Sequence, residues 1–338
     1  MGSRISYHLN MRYYVREKDP ESGKLYWDDK VRRDIEEVLR SMGFGEVEMS
    51  GIVSMGLSSF RKIRRRFAFL QEGDMLFFQF PLKTNPVVLR RLFQGLSKRG
   101  IEITVIVHDL NSFIEKDASI CKCCDNVIVN NEKTAMELIR NKMEAGRILP
   151  MKCLDFLIPD SISGSCGEFG LKKPVVVAGK LSREEAGYVY HLPDNCRFNL
   201  YGDGYEGTAD EHVKFGGNYR PDEIPFMIVG SFGLVWDGPS PMTCLGIAGK
   251  NMKHTNPKQL SLYLASGMPV IVWSESAAAD FVIQNGCGFT VSSLSEIGYR
   301  IRSMSEKTYQ KMKISAEDIG IPMRDGCYLR SVILKLDE

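Results

Sequence analysis

The chain has no apolar run approaching the roughly 20 residues that a membrane-spanning helix needs. Its first ten residues, MGSRISYHLN, also lack the apolar core of a secretion signal. A disulfide framework is missing: nine cysteines, an odd number, are scattered over 338 residues. That usage points to a reducing compartment and a cytoplasmic protein. No internal repeat of about 20–50 residues is visible, which excludes solenoids and propellers. Charge of one sign is not in excess either. The formal net charge of +2 gives no overall field directed at nucleic acid. The cluster CKCC (Cys121, Cys123, Cys124) lacks a second ligand pair at zinc-finger spacing. Structural or incidental thiols are therefore expected there, and no metal site.

What is present is globular: 43% hydrophobic, 25% charged and 10% aromatic residues, on a length suited to two domains. Strand-like and helix-like runs alternate throughout. EVEMS, DMLFFQF, EITVIVHD, NVIVN and RILPMKC follow an opening strand RISYHLN (4–10). Amphipathic segments DDKVRRDIEEVLRSMG and NPVVLRRLFQGLSKRG lie among them. In the second segment Val88, Leu89, Leu92, Phe93 and Leu96 fall at helical spacing. Apolar strands alternating with helices predict an α/β protein with parallel sheets covered on both faces. A polar stretch at 159–173 reads as a linker, and a second α/β series starts at Pro174. The expected division is a first domain over 1–158, the linker, a second domain over 174–320, and a helix over 321–338 returning to the first. Two doubly wound domains face a cleft in this reading, with ligands beyond the carboxyl ends of the strands.

Each candidate has a plain alternative. GDGYEG (202–207) matches GxGxxG, but turn and strand follow where a dinucleotide fingerprint needs a helix. It reads as a loop lining the cleft or a simple turn. In AGKLSREEAGYV, Gly179 allows a tight turn and Ser182 can cap a helix. Lys180 and Arg183 would then flank a helix N-terminus suited to phosphate, or merely decorate a solvated turn. Pro221 marks another helix start, with Tyr219 and Arg220 just before it. In NPKQLSLYLASGMPVIVW, Asn256 reads as N-cap, Pro257 as first helical residue and Gly267 as the stop. Capping does not account for Lys258, a cation at the positive end of the dipole; Gln259 shares that first turn. Ser274 reads as the cap of a further helix. In the first domain, VIVHDLNSF ends a strand on His108 and Asp109; Asp109 is a candidate general base or a turn-capping carboxylate. FRKIRRRF predicts an amphipathic helix burying Phe60, Ile63, Phe67 and Leu70. Its Arg61, Lys62, Arg64, Arg65 and Arg66 would face an anionic membrane surface or water. Nucleic acid is disfavoured, since no stacking platform accompanies the charges.

Taken together, FGLVWDG followed by NPKQLSLYLASGMPVIVWSESAAADFVIQNGCGFTV resembles bacterial galactofuranosyltransferase-like glycosyltransferases. That group includes glucosyltransferases extending sugars on serine-rich adhesins. GDMLFFQFPLK, VIVHDLNSF, YRPDEI and MRDGCYLRSVILKL occur in the same order and extend the resemblance over nearly the whole chain. It implies a GT-B architecture, two Rossmann-like domains with the donor nucleotide on the second and the acceptor on the first, and a metal-independent enzyme without cofactor. Arg183 and the turn around Lys258 would contact the donor diphosphate, Tyr219 would lie near the nucleotide, and Gly23 and Lys24 would border the acceptor. One departure stands out. Relatives commonly carry lysine directly before the leucine, where this chain has Gln259. Lys258 then reaches the phosphate from an angle shifted by about 100°, or Lys253 or Lys250 substitutes.

The reading is hexosyl transfer, with galactofuranose foremost, from a UDP-sugar to a sugar hydroxyl of a glycan or lipid-linked oligosaccharide in cell-surface polysaccharide synthesis. Rivals are a UDP-glucose-dependent glucosyltransferase on a glycoprotein or glycolipid, a non-catalytic subunit of a glycosylation complex, and a UDP-sugar epimerase. The expected location is the cytoplasm, with peripheral attachment at the inner face of the plasma membrane as its variant. Self-association stays open.

Overall fold

Two series of apolar strands, each interleaved with helices, form two separate parallel sheets. The computed structural model describes residues 10–26, 29–52, 57–108, 110, 119–159, 166–208 and 210–337. The expected strand at 4–10 lies, except for Asn10, outside them.

The first sheet contains β1 (Arg12–Lys18), β2 (Gly45–Ser50), β3 (Met75–Phe80), β4 (Glu102–Val107), β5 (Asn126–Val129) and β6 (Ile148–Pro150). They pair in parallel in the order β2-β1-β3-β4-β5-β6. Every residue of β3 is buried, as in a strand covered on both faces. The strand β1 was not anticipated, because YYVREK mixes charges into its apolar alternation. The helix Lys30–Ser41 starts where Asp29 accepts hydrogen bonds from the Val31 and Arg32 backbone N–H groups. The helix Pro86–Ser97 starts on Asn85, with proline in its first turn, and buries the five expected residues. In the helix Leu57–Arg66 and the turn after it, Ile63, Phe67 and Leu70 are buried as their spacing predicts. The Phe60 side chain lies outside the described residues.

The second sheet follows a short strand β7 (Glu168–Phe169). It contains β8 (Val175–Lys180), β9 (Phe198–Asp203) and β10 (Val213–Gly217). After β11 (Val229–Gly230) come β12 (Gly233–Val235), β13 (Val270–Trp273) and β14 (Gly288–Val291). Its order is β10-β9-β8-β12-β13-β14, all parallel, while β7 and β11 pair separately. Strand order therefore reverses between β8 and β12, the switch point of a doubly wound sheet.

One compact unit holds residues up to Val129 and Leu138–Pro150; the other holds Asn130–Glu137 and Met151–Glu338. The division thus falls before residue 158. Residues 153–155 are tied into the second unit: Ser261 Oγ donates to the Leu154 carbonyl at 2.8 Å. Asp155 accepts from the Tyr328 and Leu329 N–H groups at 3.2 and 2.8 Å. Those bonds cap the helix Cys327–Leu334, which groups with the second unit. No helix among the described residues is long and apolar enough to cross a membrane.

Candidate functional site

The helix Lys258–Ala265 is fixed beneath the switch point of the second sheet by one tyrosine. Tyr263 is fully buried, and its ring lies against Gly233 of β12, where a Cβ would come within 2.1 Å of it. Its hydroxyl accepts the Ala178 N–H of β8 at 2.7 Å. Strands β8 and β12 share a single register pair, Gly233↔Val176, so the tyrosine satisfies a β8 donor that no neighbouring strand reaches. The first turn of the helix is thereby placed at the carboxyl end of β8.

At that end, Gly179 has φ +141° and pairs with Gly202, φ +139°, on β9. A Cβ on Gly202 would lie 1.8 Å from the Gly179 carbonyl oxygen, so only glycine permits this approach. A Cβ on Gly179 would lie 3.1 Å from Gln259 Nε2. The amide of Gln259 therefore covers the side-chain-free backbone at the end of β8. Lys258 is exposed beside it as the first helical residue. Lys253 is paired to Glu275 at 2.7 Å and sits 5.3 Å from the Trp273 ring centroid. Lys250 is exposed in the preceding short helix Gly246–Asn251.

Pro257, with φ −63° and ψ 147°, is the N-cap residue, and no side chain caps the helix. Asn256 is thus not the cap expected. It is buried and turned toward residues 130–134: it accepts from Asn131 Nδ2 at 3.4 Å and donates to the Asn130 carbonyl at 3.5 Å. Asn131 Nδ2 and Thr134 Oγ1 also donate to the His254 carbonyl, at 3.0 and 2.6 Å. Together these bonds clamp the loop that leads into the helix.

Two other expected caps are corrected. After Ser182 the chain makes one turn, in which Ser182 Oγ accepts from Glu185 N–H at 3.4 Å, and then a 3-10 helix Gly187–His191. Ser274 Oγ bonds Ser292 Oγ at 3.0 Å, while the helix Ala279–Asn285 begins after Ala278 with no side-chain cap. Pro221 likewise sits in a turn ahead of a four-residue helix, Ile224–Met227. Arg183 is exposed, its guanidinium 4.1 Å from the Tyr190 ring centroid, and Tyr190 stacks on Tyr205 at 5.6 Å. Tyr205 comes from the GDGYEG loop and stacks in turn on Phe215. Lys180 pairs with Glu185 at 2.8 Å. Tyr219 is half-buried beside Tyr201 and donates to the Gly216 carbonyl at 3.2 Å.

Asp237, which the sequence reading passed over, stands two residues beyond the end of β12, at the other side of the switch point. It accepts from the Gly238 N–H at 2.8 Å. Burial raises its carboxyl above the ordinary value, opposed by the Gly238 bond and reinforced by the Glu185 carboxylate. The signal was available in VWDG, since the rule that nominated Asp109 at a strand end applies equally there.

In the first unit, Asp109 lies outside the described residues. His108 is half-buried, its Nε2 2.8 Å from Gln79 Oε1. Gln79 Nε2 donates to the Arg32 carbonyl at 3.3 Å, and the Arg32 guanidinium donates to the Gln79 and Pro81 carbonyls at 3.0 and 2.7 Å. Burial lowers Arg32 to about 10, against the opposing charges of Asp29, Glu17 and Glu36. A cavity of about 820 Å³ opens at the carboxyl ends of β1 and β2, lined by Lys18, Asp19, Glu21, Tyr26, Lys62 and Arg66 among others. Gly23 and Lys24 do not line it. They form the exposed tip of a turn that Asp19 closes by accepting from Glu21 and Ser22 N–H groups. A cavity of similar size in the second unit, beside Tyr299 and Met312, adjoins the amino end of β14, away from the ligand-binding edge of such sheets. Cys121 and Cys124 are buried and Cys123 partly so, and no three metal-ligating side chains are grouped among the described residues.

The glucosyltransferase 3-like C-terminal domain family matches residues 175–336, and the N-terminal domain family of the same name matches residues 25–153. The chain is 30% identical over 291 residues to the β-1,6-galactofuranosyltransferase WbbI of Escherichia coli strain K12, covering 84% of each. It is 22% identical over 321 residues to glucosyltransferase 3 of Streptococcus gordonii, covering 90% of this chain and 92% of that one. Among solved structures, Anabaena HepE in complex with UDP aligns with a TM-score of 0.62 at 12% identity, over 97% of this chain and 98% of that one. A glycosyltransferase from Rickettsia africae aligns with a TM-score of 0.61 at 11% identity, over the same shares. At such identities the likeness speaks to the fold alone, which is GT-B with two Rossmann-like domains.

Proposed function

We infer the reaction from one premise: the chain belongs to the glucosyltransferase 3-like family of glycosyltransferases. It is a glycosyltransferase, and we propose that it moves galactofuranose from its UDP donor to a sugar hydroxyl in cell-surface polysaccharide synthesis. The observation that carries the donor side is the Gly179–Gln259 approach at the switch point of the second sheet. A diphosphate is served by a hydrogen-bond donor, a helix start and cations; the Gln259 amide over Gly179, the first turn of the helix and Lys258 support that reading. Galactofuranose is preferred to glucose on the higher identity to WbbI, 30% against 22% for glucosyltransferase 3.

In this reading the bond between the sugar C1 and the UDP oxygen breaks, and its electron pair leaves on the β-phosphate. Lys258, Arg183 and the helix dipole stabilise that charge, with Gln259 donating from its amide. Lys180 and Ser274 flank the same strand ends, and Tyr219 borders the nucleotide. The acceptor oxygen attacks C1 and its proton passes to a base, for which Asp109 is the candidate, with His108 and the Gly23–Lys24 turn on the acceptor side. Asp237 is assigned to a donor hydroxyl. A cytoplasmic setting suits nine cysteines of which none is paired. A peripheral position at an anionic membrane, through Arg61, Lys62, Arg64, Arg65 and Arg66, would bring the enzyme to a lipid-linked oligosaccharide.

UDP release with UDP-galactofuranose and with UDP-glucose, each with a glycan acceptor mixture, tests the donor. Faster release from UDP-galactofuranose supports the proposal. A preference for UDP-glucose transfers the assignment to the glucosyltransferase, and no release from either removes both.

A further inference from the structure

We propose that the first unit carries an anionic-phospholipid docking face built from two packed helices, wider than the single basic helix legible in the sequence. Leu57–Arg66 carries five cations; Lys62 and Arg66 line the cavity shared with Asp19 and Glu21, which leaves Arg61, Arg64 and Arg65 for this face. Pro86–Ser97 and the turn after it carry Arg90, Arg91, Lys98 and Arg99. Neither 57–70 nor 86–101 contains an aspartate or glutamate. Where the helices meet, a groove of about 320 Å³ is lined by Arg64, Arg91, Lys98 and Arg99 over a floor of Phe67, Leu92 and Leu96.

Arg99 has a structural duty, since its guanidinium donates to the Phe67, Ala68 and Leu70 carbonyls. Arg61, Arg64, Arg65, Arg91 and Lys98 are exposed and make no ion pair with a described residue. No acidic residue lines the groove, so Arg64, Arg91 and Lys98 repel one another there, and an anionic partner relieves the repulsion. The choice of a lipid surface rests on the apolar groups in the same place. Phe69, in the turn whose carbonyls Arg99 binds, is 51% exposed with its ring edge-on to Tyr13, and Val87, one helical turn before Arg91, is 44% exposed. An aromatic ring beside a polybasic face is the composition of an interfacial anchor, with ring at headgroup depth and cations on the lipid phosphates. The face enlarges the peripheral position proposed above, but it is tested without donor or acceptor, so either idea can fail alone.

The test is co-sedimentation of the full chain with phosphatidylcholine vesicles, with and without about one third phosphatidylglycerol. Preference for the anionic vesicles by about tenfold or more is expected, falling steeply as salt rises from about 0.1 to 0.5 M. Combined Arg64→Glu and Arg91→Glu substitutions should lower binding at least about tenfold, and Phe69→Ser should lower it without changing the salt dependence. Unfolding midpoints and UDP affinity identify variants that have lost their fold, and the salt and lipid dependence of the unaltered chain stands without them. Equal binding to both vesicles, or full binding by the double variant, would overturn the proposal. So would displacement by millimolar inorganic phosphate, which marks a small-ion site, or tighter binding of single-stranded DNA.

Discussion

Lys258 and Gln259 open the same helix about 100° apart, and they would meet the proposed donor site differently. Gln259 lies over Gly179, whereas Lys258 is exposed at the first helical position. If the diphosphate occupies the end of β8, both side chains touch it, one as a neutral donor and one as a charge. Hydrogen bonds to charged groups contribute about 1.5–3 kcal/mol. Lys258→Ala should therefore raise the Kd for UDP by about tenfold or more, and Gln259→Ala by several-fold, as read by titration calorimetry. Unchanged affinity in both would place the phosphate elsewhere. The thiols give a second residue-scale expectation. Burial pushes Cys153 and Cys287 up to about 12, so both stay protonated and unreactive well above neutrality. Alkylation of the folded protein near pH 8 should modify the exposed Cys327 first and reach Cys153 and Cys287 only on unfolding, as mapped by peptide mass. Early labelling of Cys153 would contradict the packing described.

At the scale of elements, the Tyr263–Gly233 contact joins a helix to the two strands at the switch point. Tyr263→Phe leaves the Ala178 N–H buried without its acceptor, a loss of about 1–3 kcal/mol. Denaturant unfolding should show it as a lower midpoint at constant slope; an unshifted midpoint would mean that the bond contributes nothing. Long elements were legible in the sequence because their burial pattern repeats. The stripe from Val88 to Leu96 and the strands β3, β4, β8 and β13 emerge where their apolar residues place them. Short elements were not. Ser182, Pro221 and Ser274 carry start signals, but a cap stabilises a helix only when an apolar stripe follows to bury. Each of the three instead enters a turn, and the Ser182 bond to Glu185 is cap chemistry that stops after one turn. Asn256 misled for a related reason: its side chain is spent on residues 130–131, far away in sequence and invisible to any local rule. The same non-local bonding hid the Gln79–Arg32 pair.

For the whole molecule, the two sheets have different strand orders, and each has its own switch point. The pattern of strands and helices forecast two doubly wound domains, and the family resemblance forecast the GT-B class. Neither located the boundary, because residues 151–158 read as the end of the first domain, behind the strand-like RILPMKC, yet Leu154 and Asp155 are bonded to the helices at 258–265 and 327–334. Whether the second sheet's switch point holds the donor diphosphate, as proposed, is decided by a crystal structure with UDP bound. The β-phosphate is expected at the carboxyl end of β8, within hydrogen-bonding distance of Lys258 Nζ or Gln259 Nε2. UDP bound at the amino ends of the strands, or in the first unit, would contradict it.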